Sequence, residues 1–367
     1  MADDELVQRA KDLVERLSQK PRFAGSQEEA EARALCRSEL ERAGFECVER
    51  PFQYSRWPGK WGVPLAAAAQ AATIFVVART AMHQGPLVAL IVGAALYVAL
   101  LFASADAKRR WITDLPFQRA SSVNLEAGRG SPSVWLVAHL DSKSQTVPML
   151  MRIASSIGMA AVMLVAGGVL VLSFLGDRDV SSMWRAVEIS ALIVALPSML
   201  CWVGNQSHGA VDNATGVAAV LLAAQSLSSV PDLGVLITSG EELGVAGARV
   251  WASTARPGIV ALNCDTVDDS GGWRTMYTGA IPKRIRAAAE AISSSTVPKP
   301  AMGRMIPGIL ADSMAFADRG IESVTVSRGT LSTLARIHTR RDNSIALTGS
   351  GVAEASALLA ALTRELA

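Results

Sequence analysis

"DLGVLITSGEELGV", residues 232–245, decides the fold of this chain. An apolar run of this length, flanked by turn residues, reads as a buried strand, because helices need a longer periodic pattern. It is followed by Gly240, two adjacent glutamates (Glu241 and Glu242) and Gly244. Adjacent carboxylates repel and gain nothing from apolar surroundings. Alone, the pair is a solvated turn. The same arrangement recurs along the chain. "VWLVAHLD" (134–141) ends in His139 and Asp141, and "GIVALNCD" (258–265) ends in Asp265. "ESVTVS" (322–327) is a further short apolar run, and "FECVERPFQ" (45–53) and "ASSVNLEA" (120–127) read as strands. Helical patterns fall at 4–19, 26–44, 213–229, 243–255, 282–294 and 350–366, with Ser26 suited to capping the second. Strand–helix alternation of this kind predicts an α/β fold: a mixed, mostly parallel sheet sandwiched by helices. The strands at 120–127 and 133–140, joined only by "GRGSP", are expected to be antiparallel neighbours.

Composition adds a second theme. Of 367 residues, 50% are hydrophobic and only 19% charged, and the mean hydropathy of +0.29 is high for a soluble enzyme. Four nearly charge-free stretches account for it: 61–78, 86–104, 153–175 and 186–203. Each approaches the roughly 20 residues that cross a bilayer as a helix. The last carries Glu188 and Pro197. They come as two pairs, so the expected organisation is a peptide chain of five parts. Residues 1–60, 105–147 and 204–367 form one domain, interrupted by transmembrane hairpins at 61–104 and 148–203. An even number of crossings would return the chain to its starting side. Arg56, Lys60, Lys108, Arg109, Arg110 and Arg152 flank that side, against Arg79, Arg178 and Arg185 opposite. This asymmetry predicts a multi-pass membrane protein whose α/β domain is cytoplasmic, as does a charged amphipathic N-terminus that is no secretory signal. The net charge of +2, without basic blocks, gives no reason to expect nucleic acid. The four cysteines, Cys36, Cys47, Cys201 and Cys264, read as reduced buried thiols, with a Cys36–Cys47 bridge as the alternative.

In open α/β sheets, sites form beyond the carboxyl ends of the strands. Here those ends carry His139, Asp141, Glu241, Glu242 and Asp265. "SHGAVDNATG" places Asp212 just before a helix, and "RIHTRRDN" offers His338 and Asp342. The chain has four histidines, and two stand at such positions. Two imidazoles and three carboxylates suit a pair of zinc ions, and a carboxylate can bridge two metals. A further carboxylate off the metals is then needed to move protons.

These motifs resemble the M28 family of zinc aminopeptidases. "HLD", "GAVDNATG", "GEELG", "NCD" and "HTRRD" occur in that family's order. "PRFAGSQEEAEARALCRSELERAGFE" is similar to its opening helices, with their R-x-x-GS turn. "DSMAFADRGIESVTV" (312–326) is similar to its segment before the last ligand. The resemblance covers about 1–55, 118–145 and 204–367. It implies two Zn²⁺ ions. His139 and Asp265 would bind one, Glu242 and His338 the other, with Asp212 bridging. It also implies Glu241 as general base and Asp141 as the carboxylate orienting the His139 imidazole. His208, where the family often has proline, is expected as an exposed loop residue. Asp268 and Asp269 are expected in a turn, and Asp312 aligns with a common family aspartate.

The resulting expectation is a membrane-anchored di-zinc aminopeptidase, with attack by zinc-bound hydroxide on peptide substrates. Both hairpins leave the ligand-bearing end of the sheet in this reading, which implies either membrane-proximal peptides as substrates or, equally, hairpins that serve as a simple anchor. The competing readings are a glutaminyl-cyclase-like acyltransferase, whose relatives retain fewer ligands, and an inactive receptor or scaffold on a peptidase fold. No GxSxG elbow supports a serine hydrolase. Oligomeric state is not legible.

Overall fold

The computed structural model describes residues 2–106, 111–176, 179–292, 301–306 and 308–367. Lys108, Arg109, Arg110 and Arg178, and the last two residues of the helix expected at 282–294, lie outside the described residues. The chain divides into two compact units: 1–54, 119–144 and 204–367 form the first, 55–118 and 145–203 the second.

In chain order the elements are α1 (Ala2–Leu17), α2 (Gln27–Arg42), β1 (Glu46–Ser55), α3 (Trp57–Gln84), α4 (Pro86–Asp106), the single turn α5 (Ile112–Asp114), β2 (Arg119–Gly128), β3 (Val134–His139), β4 (Ser144–Gln145), α6 (Met149–Phe174), α7 (Ser181–Met199) and β5 (Val203–Gly204). A π-type turn at Ala210–Ala214 then leads into α8 (Thr215–Ser226), β6 (Leu233–Thr238), α9 (Ala246–Ala252), β7 (Val260–Val267), β8 (Gly272–Tyr277), α10 (Lys283–Ala291), β9 (Ala301–Arg304), α11 (Asp312–Ala317), β10 (Glu322–Gly329), α12 (Leu331–Arg336) and α13 (Ser350–Leu366).

The first unit is built on an eight-stranded sheet of order β1-β2-β6-β3-β7-β10-β8-β9. Strands β6, β3, β7 and β10 run parallel, while β2 and β8 are antiparallel to β6 and β10. This is the mixed, mostly parallel sheet the sequence implies. Every residue of β3 and β6 is buried. A parallel strand covered on both faces selects such continuous apolar runs. On one side Trp135, Trp251 and Phe316 stack edge to face, with centroids 4.7 and 5.7 Å apart. On the other, α8 lies almost wholly buried. Its Gly216 permits that approach: a Cβ there would come within 2.4 Å of the Cys264 carbonyl.

Two expectations need correction. The strands at 120–127 and 133–140 are antiparallel but not neighbours, because β6 lies between them: Ile237 pairs with Leu125 on one side and Ala138 on the other. The apolar β6 satisfies two buried ladders at once. The 128–132 link spans it, with Ser131 donating to the Asp232 carboxylate at 2.6 Å. Strands β8 and β9 were not anticipated, because they are short and partly exposed.

The second unit is helical, and it is apolar both inside and on its outer surface. Its interior sets small residues, Ala67, Ala78, Ala166, Ala191 and Ala195, beside larger ones such as Ile74, Met159 and Val162, around Trp184. Its outer surface carries Leu164 (79% exposed) and Phe102 (73%). Small residues inside and large apolar residues outside suit a lipid surround. Among the described residues, three helices are long and apolar enough to cross a membrane by length and composition: Trp57–Gln84, Pro86–Ser104 and Met149–Phe174. The fourth expected span is the correction. It forms α7, but that helix begins at Ser181, ends at Met199 and includes Arg185 and Glu188, so it is not among them. Glu188 is paired with Arg79 of α3 through contacts of 2.8 and 3.2 Å. All four cysteines are free, with Cys47 only partly buried.

Candidate metal centre

Strands β3, β6 and β7 end on the same side, and β3 and β6 are level there, His139 pairing with Thr238. His139 is the last residue of β3, and Asp265 lies near the end of β7. After β6 the chain turns at Gly240 (φ 71°) and presents Glu241 and Glu242 before Gly244 (φ 118°) and Val245 (φ 54°). Asp212 sits in the irregular turn before α8, where the Asp212–Asn213 peptide is cis. His338 follows α12 with φ 60°, a left-handed conformation that turns its ring away from the helical path.

All of these side chains are buried. Two groups of potential metal donors result: His139, Asp212 and Asp265, and Asp212, Glu242 and His338, each with ligand atoms within 4.8 Å of one another. Asp212 belongs to both. Its Oδ1 is 3.2 Å from His139 Nε2, and its Oδ2 is 3.0 Å from His338 Nε2. His139 Nε2 is also 3.5 Å from Asp265 Oδ1, and His338 Nε2 is 3.1 Å from Glu242 Oε2. Glu241 belongs to neither group, but its Oε2 is 3.9 Å from His139 Nε2. His139 Nε2 is buried without a well-directed hydrogen bond, while its Nδ1 lies 3.0 Å from the Asp141 main-chain carbonyl. A carbonyl only accepts, so Nδ1 carries the proton and Nε2 offers its lone pair to a cation. Imidazole and carboxylate donors in this arrangement fit zinc.

Supporting groups explain how the loops are held. The resemblance implied that the Asp141 carboxylate orients the imidazole. Its Oδ1 lies 3.8 Å from Nδ1, and the closer ring contact is the residue's carbonyl. The carboxylate oxygens instead accept the N–H groups of Glu241 (3.1 Å) and Glu242 (3.2 Å). Asp342 repeats the device, accepting the N–H groups of Val211 (2.7 Å) and Asp212 (3.2 Å). Asn213 donates to the Cys264 carbonyl at 3.0 Å and accepts from Gly216, joining the Asp212 turn to β7. Lys143, absent from the sequence reading, contacts Glu242 Oε2 and its carbonyl, both at 2.8 Å. Only its position four residues after His139 could have flagged it. His208 is partly buried, its ring 2.9 Å from the Ser18 carbonyl. Asp268 binds Thr333 and Arg336, and Asp269 accepts the Gly351 N–H at the start of α13, so both anchor helices. Asp312 accepts from Thr238 Oγ1, under the sheet.

The electrostatics reflect dense negative charge in a dry place. Burial pushes Asp141 up to about 8, Asp342 to about 7 and Asp312 to about 6. It also holds Glu241 well above the ordinary glutamate range. Burial opposes ionisation of Asp212 too, but the two histidine rings, with Nε2 atoms 3.2 and 3.0 Å from its oxygens, keep it below its ordinary value. Glu242 is likewise lowered against burial, by His338 and Lys143. The site gathers more carboxylates than its cationic side chains neutralise, the condition under which multivalent cations bind.

Fold and donor geometry define an α/β protein with a candidate two-metal site at the strand ends. The chain belongs to peptidase family M28, whose profile matches residues 123–363. Solved structures agree on the fold. An aminopeptidase from Aneurinibacillus sp. strain AM-1 superposes with a TM-score of 0.56 at 13% identity, covering 98% of this chain and 93% of that one. A zinc aminopeptidase from Bacillus subtilis gives 0.55 at 14% identity, covering 98% and 95%. A glutaminyl cyclase from Fimbriiglobus ruber gives 0.54 at 14% identity, covering 98% and 95%. No curated protein sequence matches significantly.

Proposed function

We propose that the protein is a membrane-anchored di-zinc aminopeptidase. The observation that carries this reading is the pair of donor groups sharing Asp212. In this reading His139 and Asp265 would hold one zinc and Glu242 and His338 the other, with Asp212 contributing to both. Two bound zinc ions would acidify a water and polarise the scissile carbonyl. Glu241 would accept the proton from the attacking water and pass it to the departing amine. Its burial suits it to that task, since a carboxylate with a raised pKa is the better base near neutrality. Asp141 and Asp342 hold the main chain that carries Glu241, Glu242 and Asp212.

Anchoring is supported by the three apolar helices. The start of β2 and the end of β3 lie at one end of the sheet, so the chain leaves the first unit for the helical segments from its ligand-bearing end. We extend the reading to membrane-proximal peptides as substrates, and the Lys and Arg residues flanking the apolar segments favour a cytoplasmic peptidase unit. The test is to purify the protein in detergent, count zinc per chain, and assay free and N-blocked peptides. Zinc near two per chain with cleavage of free N-termini is expected. Cleavage of blocked peptides alone would reject the aminopeptidase reading. Cyclisation of N-terminal glutamine without hydrolysis would favour the acyltransferase.

A further inference from the structure

Arg22, the arginine of the R-x-x-GS stretch, is a buried cation that the proposed chemistry does not use. Its side chain is 1% exposed, and its hydrogen bonds go to main-chain carbonyls. Nε donates to Leu140 (2.8 Å), Nη1 to Leu17 (2.7 Å) and His208 (2.6 Å), and Nη2 to Gly209 (2.9 Å). Leu140 separates His139 from Asp141, and Gly209 is three residues before Asp212. The main chain of Arg22 joins the same two segments. Its N–H donates to Ser142 Oγ (2.9 Å), its carbonyl accepts the Ser142 N–H (2.9 Å), and Ser142 Oγ donates to the Ser207 carbonyl (3.1 Å). The fit is close: a Cβ on Gly209 would come within 2.5 Å of Ser142 Cβ. Burying a guanidinium is costly, and here its charge faces Asp342, Asp141 and Glu29, the first two being the carboxylates that hold the ligand-bearing loops.

We infer that Arg22 is a positioning residue: its planar fork fixes the separation of the His139 segment from the Asp212 turn, and so the affinity of the metal those residues share. The metal part rests on the proposed zinc site, while the loop coupling does not. Lysine keeps the charge, but a single ammonium cannot reach carbonyls spread along a rigid fork.

The test uses the full chain in detergent. Hydrogen exchange is read on the zinc-free protein, and zinc affinity by chelator competition. In Arg22→Lys, exchange should rise at least tenfold in both 139–143 and 207–213 while β6 keeps its protection, and the zinc Kd should weaken at least tenfold. Leu358→Ala, a core change in α13, serves as the control for lost stability and should leave the zinc Kd within twofold. Unchanged exchange, a rise in only one segment, or an even rise across the sheet overturns the inference. So does equal zinc loss in Leu358→Ala at matched melting temperature. If Arg22→Lys does not fold, Ser142→Ala decides, with a smaller rise expected in the same two segments and any other pattern overturning it. Wild type that binds no zinc would sink the metallopeptidase reading, while the exchange pattern would still decide the role of Arg22.

Discussion

The Asp342 carboxylate accepts the backbone N–H of Asp212 at 3.2 Å, so one buried acid sets the main chain of another. The second oxygen accepts the Val211 N–H at 2.7 Å. In Asp342→Asn one oxygen remains for two donors, and the amide brings an N–H toward another N–H. Leaving one buried donor unpaired costs about 1–3 kcal/mol. We expect a lower melting temperature and weaker zinc binding, read by thermal melts and metal titration. Unaltered zinc affinity would remove Asp342 from the placement of Asp212.

Stability of the zinc-free protein should fall as pH rises. Asp312, Asp342 and Asp141 are pushed by burial to about 6, 7 and 8, against about 4 in an unfolded chain. An acid whose folded pKa is raised binds its proton more tightly when folded. Its contribution is complete below pH about 4 and is lost as pH climbs through the folded values. His139, raised by its carboxylate neighbours despite burial, acts in the same direction. Chelator-treated protein should therefore melt lower at pH 8 than at pH 5. A melting temperature that rises over this window would contradict these environments.

Glu241→Gln should separate proton transfer from metal binding. Glu241 lies outside both donor groups, so zinc content should match wild type. Loss of a general base costs about 10²–10⁴-fold in rate, and kcat should fall by that amount. Zinc loss in this variant would make Glu241 a ligand instead.

Asp212→Ala should empty both metal positions, whereas His338→Ala should affect chiefly one, because only Asp212 belongs to both groups. Zinc counts after dialysis distinguish the two. Equal residual zinc in both variants would argue against a shared ligand. Chelation should also lower the melting temperature, since a ligand at 100 times its Kd stabilises by about 2.7 kcal/mol.

Ile91, 61% exposed on α4, tests the membrane reading. Arginine near the centre of a spanning helix costs about 2.5–3.5 kcal/mol of insertion free energy. Ile91→Arg should shift the chain from the carbonate-resistant membrane fraction toward the soluble or aggregated fraction. Unchanged membrane recovery would count against α4 as a span.

The apolar runs at 134–139, 233–238 and 260–265 and the polar residues closing them were legible from sequence, because a strand buried on both faces admits little else. The histidine and carboxylates at those ends were visible too, but each alone reads as a turn or surface group, and only their recurrence at several strand ends pointed to a shared site. Sequence order could not reveal that β6 separates β2 from β3, since strand neighbours are chosen by burial across the whole sheet and a short link can span one strand. It could not reveal that α7 carries Glu188 beside Arg79, a pairing made between distant helices. Nor could it reveal that Arg22 clamps Leu140 and Gly209, or that Lys143 meets Glu242, because main-chain carbonyls and ammonium contacts leave no periodic trace. The two neighbouring glutamates show the division most plainly. Their position at the end of β6 was determined by sequence. Their separation, with Glu242 3.1 Å from His338 and Glu241 3.9 Å from His139, was decided by the turn and by the Asp141 carboxylate that receives both their N–H groups.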